Sequence, residues 1–360
     1  MSRGRSGRVS TTTIQGTRGL ARKIPVRQDL GIYGQGQMPA WGTDGGVSPR
    51  VDADASIRTQ ELSKSYGSHV VVDSVTLEIR QREIYGLLGP NGAGKTTIIR
   101  MILGLLEPSR GRVELFGMSV SKHGAIGRRR IGVVGEQTFL YDDLTALEYL
   151  EFFARLFEVE NGRQRALQLL DRLGLAQYAH LLARDFSQGM QKKLAVARAL
   201  LHNPEALVFD EPVSGLDPIG MVLVRELLEE ARRAGAGILV SSHILSEVER
   251  TADRVGILLR GKLVIEDTVQ GIGQRLLPER VLEVELQSPM ARVEEMLRGL
   301  PGVRGVTRDG SLLSVAFEGD DGIRSSVSRA ITDAGGIVVG MSIRKGTLED
   351  AFVRLTKESD

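Results

Sequence analysis

The segment that decides the fold of this chain is a glycine-rich run: Gly89-Pro90-Asn91-Gly92-Ala93-Gly94-Lys95-Thr96-Thr97. It follows an apolar run, 83–88, that predicts a buried strand, and it precedes another apolar run, 98–103, that predicts the start of a helix. Strand, glycine-rich loop and helix form the context of a P-loop, and the spacing of Gly, four residues, Gly-Lys and Thr fits that motif. We therefore expect this segment to bind the phosphates of a nucleotide.

The residue types in the loop suit that chemistry. Gly92 and Gly94 let the backbone turn its N–H groups toward an anion, and the helix N-terminus adds partial positive charge on the same side. Lys95 can reach the outer phosphates, and the hydroxyl of Thr96 can hold a magnesium ion. The alternative is a glycine turn that leads into an ordinary helix, and the motifs described below favour nucleotide binding over it.

Composition allows two folded domains in a chain of 360 residues, of which 41% are hydrophobic and 26% charged. No apolar run approaches the ~18 residues of a membrane span, so we expect the chain itself not to cross a bilayer. Cysteine is absent, which excludes disulfides, cysteine-bound zinc and thiol nucleophiles.

Charge is unevenly distributed along the chain. Residues 1–50 carry eight Lys or Arg and two Asp, a net charge of +6, and because the whole chain carries +2 the rest carries −4. We predict that 1–54 is a disordered basic tail. Contact with anionic lipid or RNA, an organellar transit peptide and a wrongly chosen start codon remain alternatives for it. No specific nucleic-acid binding is expected of the folded body.

The remaining sequence alternates strand and helix patterns in the manner of an α/β protein. Predicted strands cover 57–62, 70–79, 112–116, 131–134, 206–209, 238–241, 255–259 and 262–265. Tyr66 lies in a turn-like break between the first two, where an exposed aromatic ring could stack on a nucleotide base. Residues 145–202 have helical periodicity throughout.

Polar residues follow two of the later predicted strands. Asp210 and Glu211 directly follow the predicted strand 206–209, and His243 follows the predicted strand 238–241. Ligands of open α/β sheets bind at the carboxyl edge, and a strand-end Asp is the usual partner of the P-loop hydroxyl around magnesium. We expect these residues to belong to the nucleotide site.

The C-terminal part, 276–360, predicts the order β-α-β-β-α-β of a ferredoxin-like α+β domain, followed by a short helix over 348–355. It contains no histidine and no evident catalytic cluster. A packing, dimerising or regulatory module is the favoured interpretation.

The chain resembles the ATP-binding cassette (ABC) ATPases over 56–275. The matching segments, in chain order, are Tyr66 for the aromatic A-loop residue, Gly89–Thr97 for Walker A, Phe186-Ser187-Gln188-Gly189-Met190 for the signature motif, Leu207–Glu211 for Walker B, Asp217 for the D-loop and His243 for the switch histidine. The resemblance implies a P-loop cassette over 55–275, with a RecA-like α/β core, an antiparallel β subdomain and a helical subdomain at about 140–202.

Two segments depart from the usual family pattern. Either Glu136 or Gln137 would take the Q-loop position and contact magnesium. The signature replaces its first glycine with Gln188 and its last glutamine with Met190. Such departures, together with the segment Leu348–Phe352, are similar to the exporter subgroup that handles drugs, polyether antibiotics or polysaccharides.

The resemblance also implies the roles of the site residues. Two cassettes would sandwich ATP, with Ser187 and Gly189 of the signature of one facing the P-loop of the other, and Asp217 would be a further residue of the nucleotide site. Glu211 would polarise the attacking water, and His243 would stabilise charge on the γ-phosphate. Lys95 would offset charge on the diphosphate together with Mg²⁺, and that ion would be held through Thr96 and Asp210.

The expected function is therefore that of an ATP-hydrolysing transporter subunit at the cytoplasmic face of the membrane. It would work with a separate membrane permease and a second cassette, most simply another copy of itself. The alternatives are an ABC-family ATPase that acts on ribosomes or DNA, and a P-loop kinase or GTPase. The latter leaves the signature segment and His243 unexplained.

Overall fold

The computed structural model describes residues 54–276, 280–288, 291–318, 321–344, 349 and 352. The predicted tail, 1–54, lies outside them except for Asp54. Of the predicted helix 348–355, only Glu349 and Phe352 are described, and both are helical. Among the described helices, none combines the length and apolar character that crossing a bilayer requires.

The described strands and helices are numbered in chain order. The strands are β1 (Ala55–Tyr66), β2 (His69–Arg80), β3 (Ile84–Leu88), β4 (Arg110–Leu115), β5 (Met118–Ser119), β6 (Ile131–Val134), β7 (Ala206–Asp210), β8 (Gly237–Ser242), β9 (Arg254–Leu259), β10 (Lys262–Thr268), β11 (Arg280–Leu286), β12 (Val303–Asp309), β13 (Leu312–Phe317) and β14 (Val338–Arg344). The α-helices are α1 (Lys95–Ile102), α2 (Val120–Arg128), α3 (Ala146–Leu156), α4 (Gly162–Arg172), α5 (Gln188–Leu200), α6 (Pro218–Arg233), α7 (Leu245–Thr251), α8 (Val269–Leu276), α9 (Ala291–Arg298) and α10 (Ile323–Asp333).

The central sheet has six strands in the order β10-β9-β3-β8-β7-β6. Five of them are parallel, and only β10 runs antiparallel, against β9. β3, β7 and β8 are apolar and buried along almost their whole length, as expected of parallel strands covered on both faces. Their carboxyl ends therefore meet at one edge, where the glycine-rich loop, Asp210 and the segment before His243 all emerge.

A second, antiparallel sheet has the order β2-β1-β4-β5. The prediction for Tyr66 was wrong in detail: β1 extends through Tyr66, which pairs with His69, so the turn is reduced to the two residues between them. β-Bulges or other irregularities interrupt this pairing at several points. The helix α2 was not predicted at all.

The region predicted to be helical throughout, 145–202, is interrupted. It contains α3, α4 and α5, two single turns of 3₁₀-helix (Ala176–Tyr178 and Ala183–Asp185), and a β-bridge between Thr145 and Leu182. Apolar side chains of these helices join the core beneath the sheet. The interruptions matter for the site because α5 begins as a separate helix at Gln188, so its N-terminal N–H groups lie at the predicted signature segment.

The C-terminal residues form a separate sheet in the order β12-β13-β11-β14, antiparallel throughout. The chain order is β11, α9, β12, β13, α10, β14, which is that of a ferredoxin-like fold. Its core consists of apolar residues from one face of the sheet and from both helices.

Candidate functional site

The glycine-rich loop joins β3 to α1. Gly94, immediately before α1, has φ 108°, a left-handed conformation that favours glycine. A Cβ atom there would lie 2.9 Å from the carbonyl oxygen of Val71. The first N–H groups of α1 have no acceptor within the helix. This end of the helix therefore offers hydrogen-bond donors and partial positive charge to an anion.

Other predicted phosphate-binding residues lie around that helix end. Those exposed to solvent are Pro90, Asn91 and Gly92; those buried are Gly89, Ala93, Gly94 and Lys95; those half-buried are Thr96 and Thr97. The open part of the loop is thus its middle, residues 90–92.

The ammonium group of Lys95 lies within the loop. It donates hydrogen bonds to the carbonyl oxygens of Gly89 at 2.6 Å and Pro90 at 3.2 Å. Burial lowers the pKa of Lys95, although nearby carboxylates oppose that shift. The carboxylates, in order of effect, belong to Glu211, Asp210 and Glu136. These three acids, from two strand ends, therefore face the amine of the glycine-rich loop.

The carboxylate of Asp210 is buried at the end of β7. The hydroxyl of Ser241, in the neighbouring strand β8, donates a 2.5 Å hydrogen bond to Oδ1 of Asp210. The same hydroxyl accepts a hydrogen bond from the backbone N–H of Glu211 at 3.3 Å. Ser241 thus orients both acidic positions. Sequence reasoning missed Ser241, because its place opposite Asp210 follows from the register of β8 against β7.

Glu211 and His243 form a hydrogen-bonded pair. Nδ1 of His243 lies 2.9 Å from Oε2 of Glu211, so the ring donates to the carboxylate. Glu211 has φ 52°, an unusual left-handed conformation for a residue with a side chain. Backbone strain of this kind is concentrated at functional sites. The Glu211 side chain is 9% exposed and that of His243 is 49% exposed, so the pair opens to solvent through the histidine.

The loop after β6 begins with Gly135 and Glu136. The ammonium group of Lys192, from α5, donates to the carbonyl oxygens of Gly135 at 3.1 Å and Glu136 at 3.0 Å. Lys192 is only 4% exposed, and burial lowers its pKa against the opposing effect of the site carboxylates. Glu136 and Gln137 are both exposed, and the Glu136 carboxylate opposes the lowering of the pKa of Lys95 and of Lys192. Sequence reasoning missed Lys192.

The predicted signature residues lie at the start of α5. Ser187 is the N-cap, and its hydroxyl accepts a hydrogen bond from the N–H of Met190 at 3.3 Å. Ser187 and Gln188 are exposed, and Gly189 packs against the backbone of Gly215 in the loop before α6.

Asp217 begins α6 as its N-cap. Its carboxylate accepts a hydrogen bond from the N–H of Gly220 at 3.1 Å and lies 3.3 Å from the ammonium group of Lys193. The hydrogen bond from Lys193 lowers the pKa of Asp217. Asp217 therefore belongs with the signature segment, in a group apart from the Lys95 and Glu211 cluster.

The ring of Tyr66 is 55% exposed at the end of β1, in the antiparallel sheet. The ammonium group of Lys64 lies 5.4 Å from the ring centroid, a cation–π contact. Lys64 thus covers one face of the ring. The ring is otherwise open to solvent and does not belong to the core.

A P-loop beside two strand-end carboxylates, at the carboxyl edge of a largely parallel sheet, defines a P-loop nucleoside triphosphatase. Within that class, residues 72–214 match the family model described as ABC transporter. The bacitracin transport ATP-binding protein BcrA of Bacillus licheniformis is 37% identical over 302 residues, 83% of this chain and 96% of the relative. The chain belongs to the ABC transporter family, as an ATP-binding subunit with ATPase activity.

Other relatives agree with this assignment. The daunorubicin resistance ATP-binding protein DrrA3 of Streptomyces coeruleorubidus is 33% identical, with 84% of this chain and 96% of the relative covered. A solved ATP-binding subunit of an ABC transporter superposes with TM-score 0.58 at 32% identity, covering 61% of this chain and 92% of the other. The post-hydrolysis dimer of the cassette MJ0796 with ADP and Pi superposes with TM-score 0.56 at 27% identity, covering 59% of this chain and 98% of the other. The predicted fold class is confirmed, and ABC ATPases bind ATP.

Proposed function

We propose that this chain is the ATP-hydrolysing subunit of an ABC exporter for an antibiotic or similar small compound. The observation that carries the hydrolytic part is the pairing of Glu211 with His243 at the sheet edge, facing the P-loop lysine. The substrate class rests on relatives that are named for bacitracin transport and daunorubicin resistance.

Hydrolysis would use the chain's own groups as follows. The glycine-rich loop and the N-terminus of α1 hold the phosphates of ATP. Lys95 exchanges its two carbonyl acceptors for phosphate oxygens, since a buried ammonium gains more from anionic acceptors. The Glu211 carboxylate orients the attacking water, and the exposed ring of His243 stabilises charge that develops on the γ-phosphate. Tyr66 offers its open ring face to the adenine base.

A magnesium ion fits the oxygen donors of this edge. Among the described residues, no group of three or more His, Asp or Glu side chains could hold a metal; Mg²⁺ commonly binds through one or two carboxylates plus substrate phosphates. Thr96 and Asp210 would hold the ion, and either Glu136 or Gln137 would contact it from the loop after β6. Bound Mg²⁺ would supply charge neutralisation for the phosphates.

A second copy of the chain would complete the site. Ser187 and Gly189 lie at the N-terminus of α5, and Ser187 is exposed. A helix N-terminus can bind a phosphate group, so this one could bind the γ-phosphate of an ATP molecule held by a second copy. A cassette of known structure with 28% identity was solved as a dimer, with TM-score 0.55 over 59% of this chain and 98% of the other. The arrangement we propose places Ser187, Gly189 and Asp217 of one copy over the P-loop of the other.

A membrane permease would dock on an aromatic surface next to the loop after β6. We define this aromatic surface by four exposed side chains: Phe139 and Tyr141, which belong to that loop, and Phe152 and Leu156, which belong to α3. Phe139 is 79% exposed, and the Tyr141 and Phe152 rings meet edge to face at 5.5 Å. Exposed apolar patches of this kind mark interaction sites. Docking there would place the chain at the cytoplasmic face of the membrane and couple the permease to Glu136.

The domain boundaries at 54/55 and 275/276 belong to the same proposal. The cassette would span 55–275, and the ferredoxin-like region after it would be an accessory domain that packs, dimerises or regulates.

The experiment is to identify the membrane proteins that co-purify with the chain from detergent-solubilised membranes, and to measure ATPase activity of the chain alone and together with such a permease. We expect Mg²⁺-dependent ATPase activity that rises when the permease is present in lipid vesicles. The double variant Phe139→Ser with Phe152→Ser should lose association with the permease while it still binds ATP. An exposed control, Ile126→Ser in α2, should keep both. Co-purification with an extracytoplasmic substrate-binding protein would contradict export, and the absence of any membrane partner would contradict the transporter role.

A further inference from the structure

Lys192 is a buried cation that links two functional segments. It lies in the second turn of α5, the helix that begins at the signature segment, and its ammonium group binds the carbonyl oxygens of Gly135 and Glu136. We infer that Lys192 is a positioning residue for ATP hydrolysis, which fixes the start of the loop after β6 relative to the N-terminus of α5. This inference rests on the proposed function.

The C-terminal end of α5 is held against β6. A Cβ atom on Gly132 would lie 2.1 Å from the carbonyl oxygen of Ala199, so only glycine permits this close approach. Arg198 adds a 2.7 Å hydrogen bond to the carbonyl oxygen of Val133. These contacts end within the strand. Lys192 is the cation of α5 that reaches the loop beyond it.

The charges around Lys192 explain why a lysine occupies a buried position. Desolvation disfavours its charged form, but the carboxylates of Asp210, Glu211 and Glu136 favour it. Together with Lys95, it supplies the positive charge that these three acids face before any nucleotide binds. A neutral side chain in its place would remove the donor that binds the carbonyl oxygens of Gly135 and Glu136. It would also leave Lys95 as the remaining one of these two buried lysines near the three carboxylates.

The neighbouring lysine links α5 to the other half of the predicted composite site. Lys193 pairs with Asp217, and Gly189 touches the backbone of Gly215. Adjacent lysines on one short helix turn therefore bind opposite sides: Lys193 the loop before α6, Lys192 the loop that carries Glu136. If the signature segment moved against a second subunit, α5 would move with it, and Lys192 would shift Glu136 through its hydrogen bond to the Glu136 carbonyl oxygen.

The test compares three variants of the full chain. Lys192→Met removes the charge and both hydrogen bonds while keeping the length of the side chain, and Lys192→Arg keeps the charge. Arg198→Met is the matched control, because it removes a half-buried cation–carbonyl contact between the same helix and the strand that precedes the loop, but leaves Gly135 and Glu136 untouched. The readouts are hydrogen exchange of 135–140, ATP binding in EDTA, and kcat with saturating Mg²⁺ and ATP.

For Lys192→Met we expect exchange in 135–140 to rise by about tenfold or more, since two bonds to a charged donor are lost. ATP affinity in EDTA should stay within about threefold, whereas kcat should fall by on the order of 10- to 100-fold because Glu136 is misplaced. Lys192→Arg should recover most of kcat. Arg198→Met should lower the melting temperature without the loop-specific exchange.

A Lys192→Met protein with unchanged exchange in 135–140, or with exchange and kcat like those of Arg198→Met, would overturn the inference. If Lys192→Met does not fold, Lys192→Arg decides instead: protected 135–140 amides with retained kcat support the inference, and protected amides with lost kcat contradict it. Failure of the wild-type chain to hydrolyse ATP would instead count against the proposed function, so the two failures are distinguishable.

Discussion

His243 Nδ1 lies 2.9 Å from Glu211 Oε2, although 32 positions separate the two residues in the chain. The contact exists because β7 and β8 are adjacent and parallel, so that the residues after their carboxyl ends emerge side by side. The carboxylate is buried and the ring is half exposed. A buried carboxylate is thereby held by a partner side chain that is itself open to solvent.

Glu211→Gln removes the negative charge but keeps an oxygen that can accept from His243. We expect ATP binding close to that of the wild type, and turnover lower by about 10²-fold or more, as is typical when a catalytic base is lost. Size-exclusion chromatography with ATP should then show a stable dimer. Turnover within about threefold of wild type would remove Glu211 from the catalytic role.

The contact between Glu211 and His243 also predicts non-additive kinetics. His243→Ala should reduce kcat, and adding it to Glu211→Gln should cost little more than Glu211→Gln alone, because the two side chains act as a unit. The measurement is kcat for the wild type, both single variants and the double variant. A double variant whose loss equals the product of the single losses would show that the residues act independently.

The parts of this site that follow from local pattern could be predicted from the sequence. The strand before Asp210 and the spacing of the glycine-rich loop each specify a backbone shape, and parallel strands bring their ends to one edge. Helix α2 escaped prediction because its segment is polar and contains Gly124, Gly127 and a non-helical His123 at φ −129°. It is formed by packing rather than by its own periodicity.

The remaining site residues depend on tertiary contacts that the sequence does not encode locally. Lys192 and Lys193 are adjacent and chemically identical, so a pattern alone predicts two solvated side chains. Packing makes Lys192 4% exposed and bound to Glu136, whereas Lys193 pairs with Asp217. Ser241 is one of two consecutive serines, and only the register of β8 against β7 places it on Asp210.

Lys95→Ala should act on nucleotide binding itself. The wild-type ammonium binds two loop carbonyls and faces three carboxylates. Its loss removes charge-assisted bonds to phosphate of about 1.5–3 kcal/mol, or on the order of 10- to 100-fold in affinity. Binding of a fluorescent ATP analogue measures this, with Lys122→Ala, an exposed lysine of α2, as the control. Undiminished affinity would contradict the P-loop assignment.

Thr145→Ala tests the helical region without touching the nucleotide site. Thr145 caps α3: its hydroxyl accepts from the N–H of Glu148 at 3.2 Å, and the Glu148 carboxylate accepts from the Thr145 N–H at 2.9 Å. Alanine keeps the backbone N–H that donates to Glu148 but removes the hydroxyl acceptor of the Glu148 N–H, so the variant should lower the free energy of unfolding by about 1 kcal/mol in urea titrations.

The matched control for that stability measurement is Thr332→Ala in α10. The Thr332 hydroxyl only bonds back to the carbonyl oxygen of Ser328 within its own helix, and alanine has the higher helix propensity. Thr332→Ala should therefore be neutral or slightly stabilising. If Thr145→Ala proved equally neutral, the start of α3 would have to be held by the β-bridge between Thr145 and Leu182 rather than by its cap.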